Sequence, residues 1–326
     1  MDNINVSNVV QELYGRVLMS LSISIVIPAF NEEKYIATCL ASIEKFRQLI
    51  PSDIEVIVAN NGSTDNTSAI AKQFSCDVLD LERGPVSSAR NRGAAHASGD
   101  LIAFVDGDVE LTESWFIELA RLSNQLTKHS DLVTGKQCLV PDNGTWIEKH
   151  WFKNLKDQYL GGANIVTTRT TFNALNGFDE KLKTGEDYDY CLRAIKENKN
   201  YQVNEKLNAI HLGFPHSLKD FMRRELWHGE GDFRSFSQFK NSIVAQIAVF
   251  YFVIITLSLL ALTLSYFWLS VAGLLLVAGL NAAITLKRFA RCGLSTLVVN
   301  YYLNAMYFFA RVGSLARAIK NKKLTY

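Results

Sequence analysis

The sequence lacks a charge excess: 34 Lys and Arg stand against 32 Asp and Glu, a formal charge of +2. It therefore carries no broad basic field of the kind that gathers nucleic acid. It also lacks paired cysteines. Cys39, Cys76, Cys138, Cys191 and Cys292 are scattered along 326 residues, without the close spacings of a zinc site or a disulfide framework, which points to a reducing compartment. Residues 1–20 have no basic start, continuous apolar centre or small-residue cleavage site, and Asp2, Glu12 and Arg16 lie among their polar positions. They do not read as a signal peptide, so the N-terminal part is expected to stay in the cytosol. No internal repeat or low-complexity tract is visible. The last absence is the most telling: Asn241 to Leu286 runs 46 residues without one Asp, Glu, Lys or Arg.

A bilayer span needs about 20 apolar residues, so this stretch accommodates two, roughly 243–263 and 266–286, with Ser265, Tyr266, Phe267 and Trp268 at the turn. Arg234 and Lys240 precede the hairpin and Lys287, Arg288 and Arg291 follow it, while the turn has no basic residue. By the positive-inside tendency both ends are cytoplasmic. A hairpin buried in a soluble core is the alternative. Leu294 to Ile319 mixes Leu297, Val298, Tyr301, Tyr302, Phe308 and Phe309 with Asn300, Asn304, Arg311 and Arg317, then ends in Lys320, Lys322 and Lys323. It reads as an interfacial amphipathic helix, with a third span as the alternative.

Upstream of residue 220 short apolar runs alternate with helical stretches, the pattern of a layered α/β domain with a largely parallel sheet. Ile23–Ile27, Ile54–Ala59, Val78–Leu79 and Leu101–Val105 are its expected strands. Ile36, Leu40, Ile43, Phe46 and Ile50 recur at helical spacing, and Asp65–Phe74 and Ser87–His96 also read as helices. In open α/β sheets ligands sit beyond the carboxyl ends of the strands, so the polar residues there come first. Pro28-Ala-Phe-Asn-Glu32 follows one strand and Asn60-Asn-Gly-Ser-Thr-Asp65 another; each alone is also ordinary turn and cap chemistry. Leu101–Val105 delivers Asp106-Gly-Asp108, two carboxylates that can share a hard divalent cation with diphosphate oxygens. A solvated acidic turn is the plainer alternative. A calcium loop is excluded, because Leu111 stands where its sixth-position glycine belongs.

Taken in order, Ser24-Ile-Val-Ile-Pro-Ala-Phe-Asn-Glu-Glu33, Asn61-Gly-Ser-Thr-Asp65, Ala89-Arg-Asn-Arg-Gly93, Gly99-Asp100, Asp106-Gly-Asp108, Asn176-Gly-Phe-Asp-Glu180 and Gly185-Glu-Asp-Tyr-Asp189 resemble the family-2 glycosyltransferases with a GT-A fold. The resemblance covers roughly residues 22–215. It implies a Rossmann-like, mixed but mainly parallel catalytic domain over 22–216, after an N-terminal segment 1–21. Beyond it would come an interfacial linker at 217–240, a transmembrane hairpin at 241–287 and a membrane-associated helix with a basic tail at 288–326.

The same resemblance implies roles for residues. Pro28, Ala29, Asn31 and Glu32 match the loop bordering the nucleotide base. Asn60 matches a position, usually Asp, that contacts base or ribose, and an amide there can still pair with either. Arg90 matches the residue that reaches the donor phosphates, for which a guanidinium fork is suited. Asp106 and Asp108 match the metal motif, Asp108 as the more direct ligand, and His211 is a candidate third ligand. Asp187 is assigned as general base and Glu186 as the residue that positions the acceptor; both acids would also suit the N-terminus of a helix over Tyr188–Glu197. Gly161, Gly162 and Arg169 match the acceptor pocket.

The chemistry implied is inverting, metal-dependent transfer from a nucleotide-sugar, with Mn2+ or Mg2+, to a lipid-linked or membrane-proximal glycan acceptor, on a membrane-bound protein with no nucleic-acid partner. Ser217–Phe236, with Phe221, Leu226, Trp227 and Phe233 among Lys219, Arg223, Arg224 and Arg234, suits a helix in the headgroup layer. Glu225-Leu-Trp-His-Gly229 lacks the Gln-x-x-Arg-Trp element of processive synthases. Two other classes stay open. One is nucleotidyl transfer, for which the loop after the first strand is neither glycine-rich nor basic. The other is a non-catalytic membrane-bound scaffold of the same fold.

Overall fold

The structure is a computed structural model that describes residues 20–51, 54–155, 159–182, 184–233 and 235–323, with side chains as far as 318. The expected N-terminal segment, except for Ser20 and Leu21, lies outside the described residues. So do Arg234 and the side chains of Lys320, Lys322 and Lys323. Packing divides the chain into two units, Met1–Pro141 with Asp157–Gly213, and Asp142–Lys156 with Phe214–Tyr326.

The first unit is built on a seven-stranded sheet in the order β3-β2-β1-β4-β7-β6-β8. Its strands are β1 (Ile23–Ala29), β2 (Ile54–Asn61), β3 (Asp77–Leu81), β4 (Leu101–Val105), β6 (Val133–Gly135), β7 (Asn164–Thr168) and β8 (Tyr201–Val203); β5 (Val109–Leu111) and β9 (Ala209–His211) form a separate antiparallel pair. Strands β1 to β4 are mutually parallel, and only β7 runs against its neighbours. Side chains alternate across the sheet with the two-residue period of a strand. Ile23, Ile25, Ile27, Leu101, Ala103 and Val105 pack on one face with Ile36, Leu40 and Ile43 of helix Ile36–Phe46 and with Trp115 and Phe116 of helix Glu113–Gln125. Val26, Ile57, Ile102 and Phe104 pack on the other with Phe172, Phe178 and Tyr190. Burial on both faces explains why the early strands read as unbroken apolar runs.

The topology creates a crevice. From β1 the chain steps to β2 and β3 on one side, then returns to place β4 on the other, so the order reverses between β1 and β4. Pairing of β1 with β2 continues to Ala29↔Asn60, whereas pairing of β1 with β4 stops at Val26↔Phe104. The two strands therefore part at their carboxyl ends, at the kind of switch point where open sheets bind ligands. Pro28, which has no N–H to give, falls in the stretch of β1 that β4 no longer needs.

The second unit is helical, with Trp146–His150, Leu218–Gly229, Phe236–Asn241, Ile243–Thr263, Phe267–Phe289 and Leu294–Lys323. Ile243–Thr263 and Phe267–Phe289 are long and apolar enough to cross a membrane, and at 1.5 Å per residue each measures roughly 30 Å. Their packing is inverted relative to a water-soluble bundle. Apart from Phe289 at the end of the second helix, the buried positions are small or polar: Ala245, Ala248, Tyr251, Ser258 and Ala261 on one helix, Ser270, Asn281 and Thr285 on the other. Phe252, Leu257, Leu259, Leu275 and Leu276 are exposed. Small residues at the buried positions permit close approach, and polar ones can bond between helices.

In helix Leu294–Lys323, expected as an interfacial amphipathic helix, Asn300 and Asn304 are fully buried, while Val298 and Phe309 face outward. Asn304 Nδ2 donates to Asn281 Oδ1 at 2.8 Å, Asn281 Nδ2 donates to the Tyr301 carbonyl at 2.9 Å, and Arg288 Nη1 donates to Asn304 Oδ1 at 3.0 Å. The polar side chains tie this helix to the hairpin instead of lining an aqueous face. Helix Leu218–Gly229, capped by Ser217, likewise spends charge internally: buried Glu225 pairs with Arg224 at 2.7 Å and with Arg311 at 3.0 Å.

Candidate active site

The loop after β1 and the loop after β2 are laced together. Asn31, at φ 57°, takes the left-handed conformation that Asn tolerates. Its Oδ1 accepts from the Thr64 N–H at 2.9 Å and its own N–H donates to Ser63 Oγ at 3.0 Å. The Glu32 N–H donates to Thr67 Oγ1 at 2.8 Å. Pro28 and Ala29 are buried in β1 as the floor of these loops. Asn60 is buried, donating through Nδ2 to Asp80 Oδ1 at 2.7 Å and accepting from the Ser63 N–H at 3.3 Å. An acid at position 60 would face the Asp80 carboxylate directly. Asp80 itself is held down to about 2 by hydrogen bonds from Lys72, Asn60 and Ser68, so the amide at 60 is the partner that this charge accepts.

The acids on either side of the crevice are joined by one cation. Arg90, from helix Val86–His96, is buried; its Nη1 donates to Glu186 Oε1 at 2.6 Å and its Nη2 to Asp106 Oδ1 at 2.7 Å. Burial alone would lower the Arg90 pKa, but Asp106, Glu186 and Asp187 outweigh it and hold the group above its ordinary range. Burial raises Glu186, with the neighbouring charge of Asp187 adding to it and Arg90 opposing. Glu186 and Asp187 open helix Glu186–Lys196, where the unsatisfied N–H groups favour anions. Asp187 Oδ2 accepts from the Gly162 N–H at 2.8 Å. Arg90, expected at the donor phosphates, thus links the Asp-Gly-Asp motif to the acidic pair.

Asp108 and His211 are brought together by the β5/β9 pair, in which Val109 lies opposite His211. His211 Nδ1 stands 3.7 Å from Asp108 Oδ2. A Cβ at Gly213 would fall 1.8 Å from the same oxygen, so any larger residue there would displace the Asp108 carboxylate. Glu32 lies against Gly107, and burial, then Asp108, Asp106 and Asp65, push its carboxyl up to about 8. Among the described residues no group of three or more His, Cys, Asp or Glu side chains is arranged to enclose a metal ion. The donor set still fits an open site: a carboxylate beside an imidazole supplies part of a coordination sphere, and Mg2+ commonly takes one or two carboxylates with the remainder from phosphate and water.

Arg169 is placed elsewhere. Its Nε donates to the Gly99 carbonyl at 2.7 Å and its Nη1 to the Ala94 carbonyl at 3.1 Å. These groups precede β4, at the end opposite Asp106, so Arg169 fastens the strand's entry and does not line the expected acceptor pocket. Sequence reasoning passed over Arg83, whose guanidinium lies 3.3 Å from the centroid of the Phe30 ring. Its signal was available: Glu82-Arg83-Gly84-Pro85 is the polar cluster at the carboxyl end of β3, the position inspected after the neighbouring strands.

Comparison with known proteins gives the family. The pattern of glycosyl transferase family 2 matches residues 24–179, and that of glycosyl transferase family group 2 matches residues 102–310, more than half of the chain. A glycosyltransferase of Haloferax volcanii, AglE, is 28% identical over 64% of this chain and 72% of its own length. An uncharacterized glycosyltransferase of Bacillus subtilis, EpsJ, is 36% identical over 61% of this chain and 63% of its own. The mannosyltransferase PcManGT of Pyrobaculum calidifontis, solved with GDP-Man and Mn2+, has a like fold, with a TM-score of 0.55 at 14% identity over 95% of this chain and 97% of that one. With a family pattern matched across most of its length and the GT-A sheet beneath it, the chain belongs to the family-2 glycosyltransferases.

Proposed function

We propose that the protein transfers a sugar, with inversion, from a nucleotide-sugar held between the ends of β1 and β4 to an acceptor hydroxyl on a lipid-linked or membrane-proximal glycan. The observation that carries this reading is the Arg90 bridge. It sets Asp106, of the diphosphate-facing motif, and Glu186, of the acidic pair, on one buried guanidinium although 80 residues separate them in sequence. Asp187, beside Glu186, has one carboxylate oxygen oriented by the Gly162 N–H. In that position it would take the acceptor proton as the anomeric carbon is attacked from the face opposite the diphosphate.

Asp108 and His211, with Asp106 beside them, are the residues that would hold a divalent cation, which when bound neutralises charge on the departing diphosphate. The like-folded mannosyltransferase was solved with GDP-Man and Mn2+, in keeping with this donor class. The loops after β1 and β2 would border the base. Glu186, held by Arg90, would orient the acceptor, and Arg90 would gain a third partner when a diphosphate arrives. The hairpin 241–287 would fasten the catalytic domain to a membrane with both helix ends, and hence that domain, on the cytoplasmic side.

The test is turnover of UDP-, GDP- and dTDP-sugars by the full chain in lipid nanodiscs, supplied with a membrane lipid extract, with Mn2+ and again with EDTA. Transfer that needs the cation supports the reading; full transfer in EDTA removes the metal, and no release of nucleoside diphosphate from any donor removes the donor class.

A further inference from the structure

Arg83, just beyond the carboxyl end of β3, is a cation that the proposed reaction leaves without a task. Its guanidinium stacks on Phe30, the residue between Ala29 and Asn31. No hydrogen bond or ion pair within the described residues uses its N–H groups, and partial burial lowers its pKa with no carboxylate opposing the shift. Arg90, by contrast, is already bonded to two acids.

The position of Arg83 is built. Asn61 clamps the next residue at both ends of its peptide: Oδ1 accepts from the Gly84 N–H and Nδ2 donates to the Gly84 carbonyl, each at 2.9 Å. An Asp at 61 could make the first bond and not the second. Gly62, at φ 70°, completes the fit, since a Cβ there would meet the Arg83 backbone nitrogen at 2.9 Å. The β2 loop therefore holds Arg83 in place, and the Phe30 ring fixes the plane of its guanidinium. A guanidinium stacked on an aromatic ring is oriented, and its in-plane edge presents parallel donors and no acceptor.

We propose that Arg83 recognises the keto oxygens of the donor's nucleobase, an inference that rests on the nucleotide-sugar reading above. Its place favours the base over the diphosphate: Arg83 follows β3, on the far side of β2 and β1 from β4, which carries Asp106. Among base edges, guanine offers O6 and N7 to a donor fork and uracil offers O4, whereas adenine presents an amino donor that would oppose it.

The experiment is calorimetric titration of the full chain in nanodiscs with GDP, UDP, ADP and inorganic pyrophosphate, each with Mn2+, for wild type, Arg83→Gln and Arg83→Lys. GDP or UDP should bind more tightly than ADP. Arg83→Gln should weaken the preferred nucleotide by roughly 10- to 100-fold while leaving ADP and pyrophosphate unchanged, and Arg83→Lys should restore part of the loss. Unchanged binding by Arg83→Gln, or an equal loss for pyrophosphate, would overturn the assignment of Arg83 alone. A wild type that binds none of the nucleotides would overturn the donor reading and this inference with it.

Discussion

At the scale of the residue, the site is a set of acids made compatible by one arginine. Asp187 is the acid whose role can be isolated: Asp187→Asn keeps the shape and the bond from Gly162 but not the basicity. It should cut kcat by at least 100-fold while donor affinity stays near wild type, measured by single-turnover transfer and calorimetry. Retained turnover would hand the proton to another group. Gly213→Ala probes the neighbouring feature, since its new methyl group would collide with Asp108. It should raise the Mn2+ concentration needed for half-maximal activity with little change in unfolding temperature. The sequence singles out Asp106 and Asp108 because they end the apolar run Leu101–Val105, and Glu186 and Asp187 only through the family resemblance. It does not single out Arg83 and Gly213, because what marks them is a contact: a guanidinium on a ring from a loop over 50 residues earlier, and a missing Cβ beside a carboxylate.

Among elements, apolar content mattered more than length. β1, β2 and β4 are mostly apolar and match the expected runs within two residues, as does helix Val86–His96, whereas β7 and the 13-residue helix Glu113–Gln125 were not expected. β5, β6, β8 and β9 are three residues each, too short for a period to register, and their pairing is a property of the folded sheet. Helix Leu294–Lys323 was legible as a helix but not in its contacts, because amphipathicity alone does not say which neighbours a polar face meets. The buried Asn281–Asn304 bond gives those contacts a test. Asn281→Val and Asn304→Val should each lower stability in detergent by about 1 kcal/mol, and the double variant should cost less than their sum. Additive losses would mean that the two amides are independent.

For the whole molecule, composition made the division between an α/β part and an uncharged helical part plain. The place of residues 142–156 was hidden, since this segment lies early in sequence yet packs with the helices. In that unit Trp151 meets the rings of Phe221, Phe289 and Tyr307, contacts that bind together stretches more than 60 residues apart. The helical unit also shifts where substitutions can be made. Its interior already tolerates hydroxyl and amide groups, while its exterior asks only for apolar bulk. Exchanging outward residues such as Phe252, Leu257, Leu275 and Leu276 for charged ones would therefore leave the interior contacts as they are.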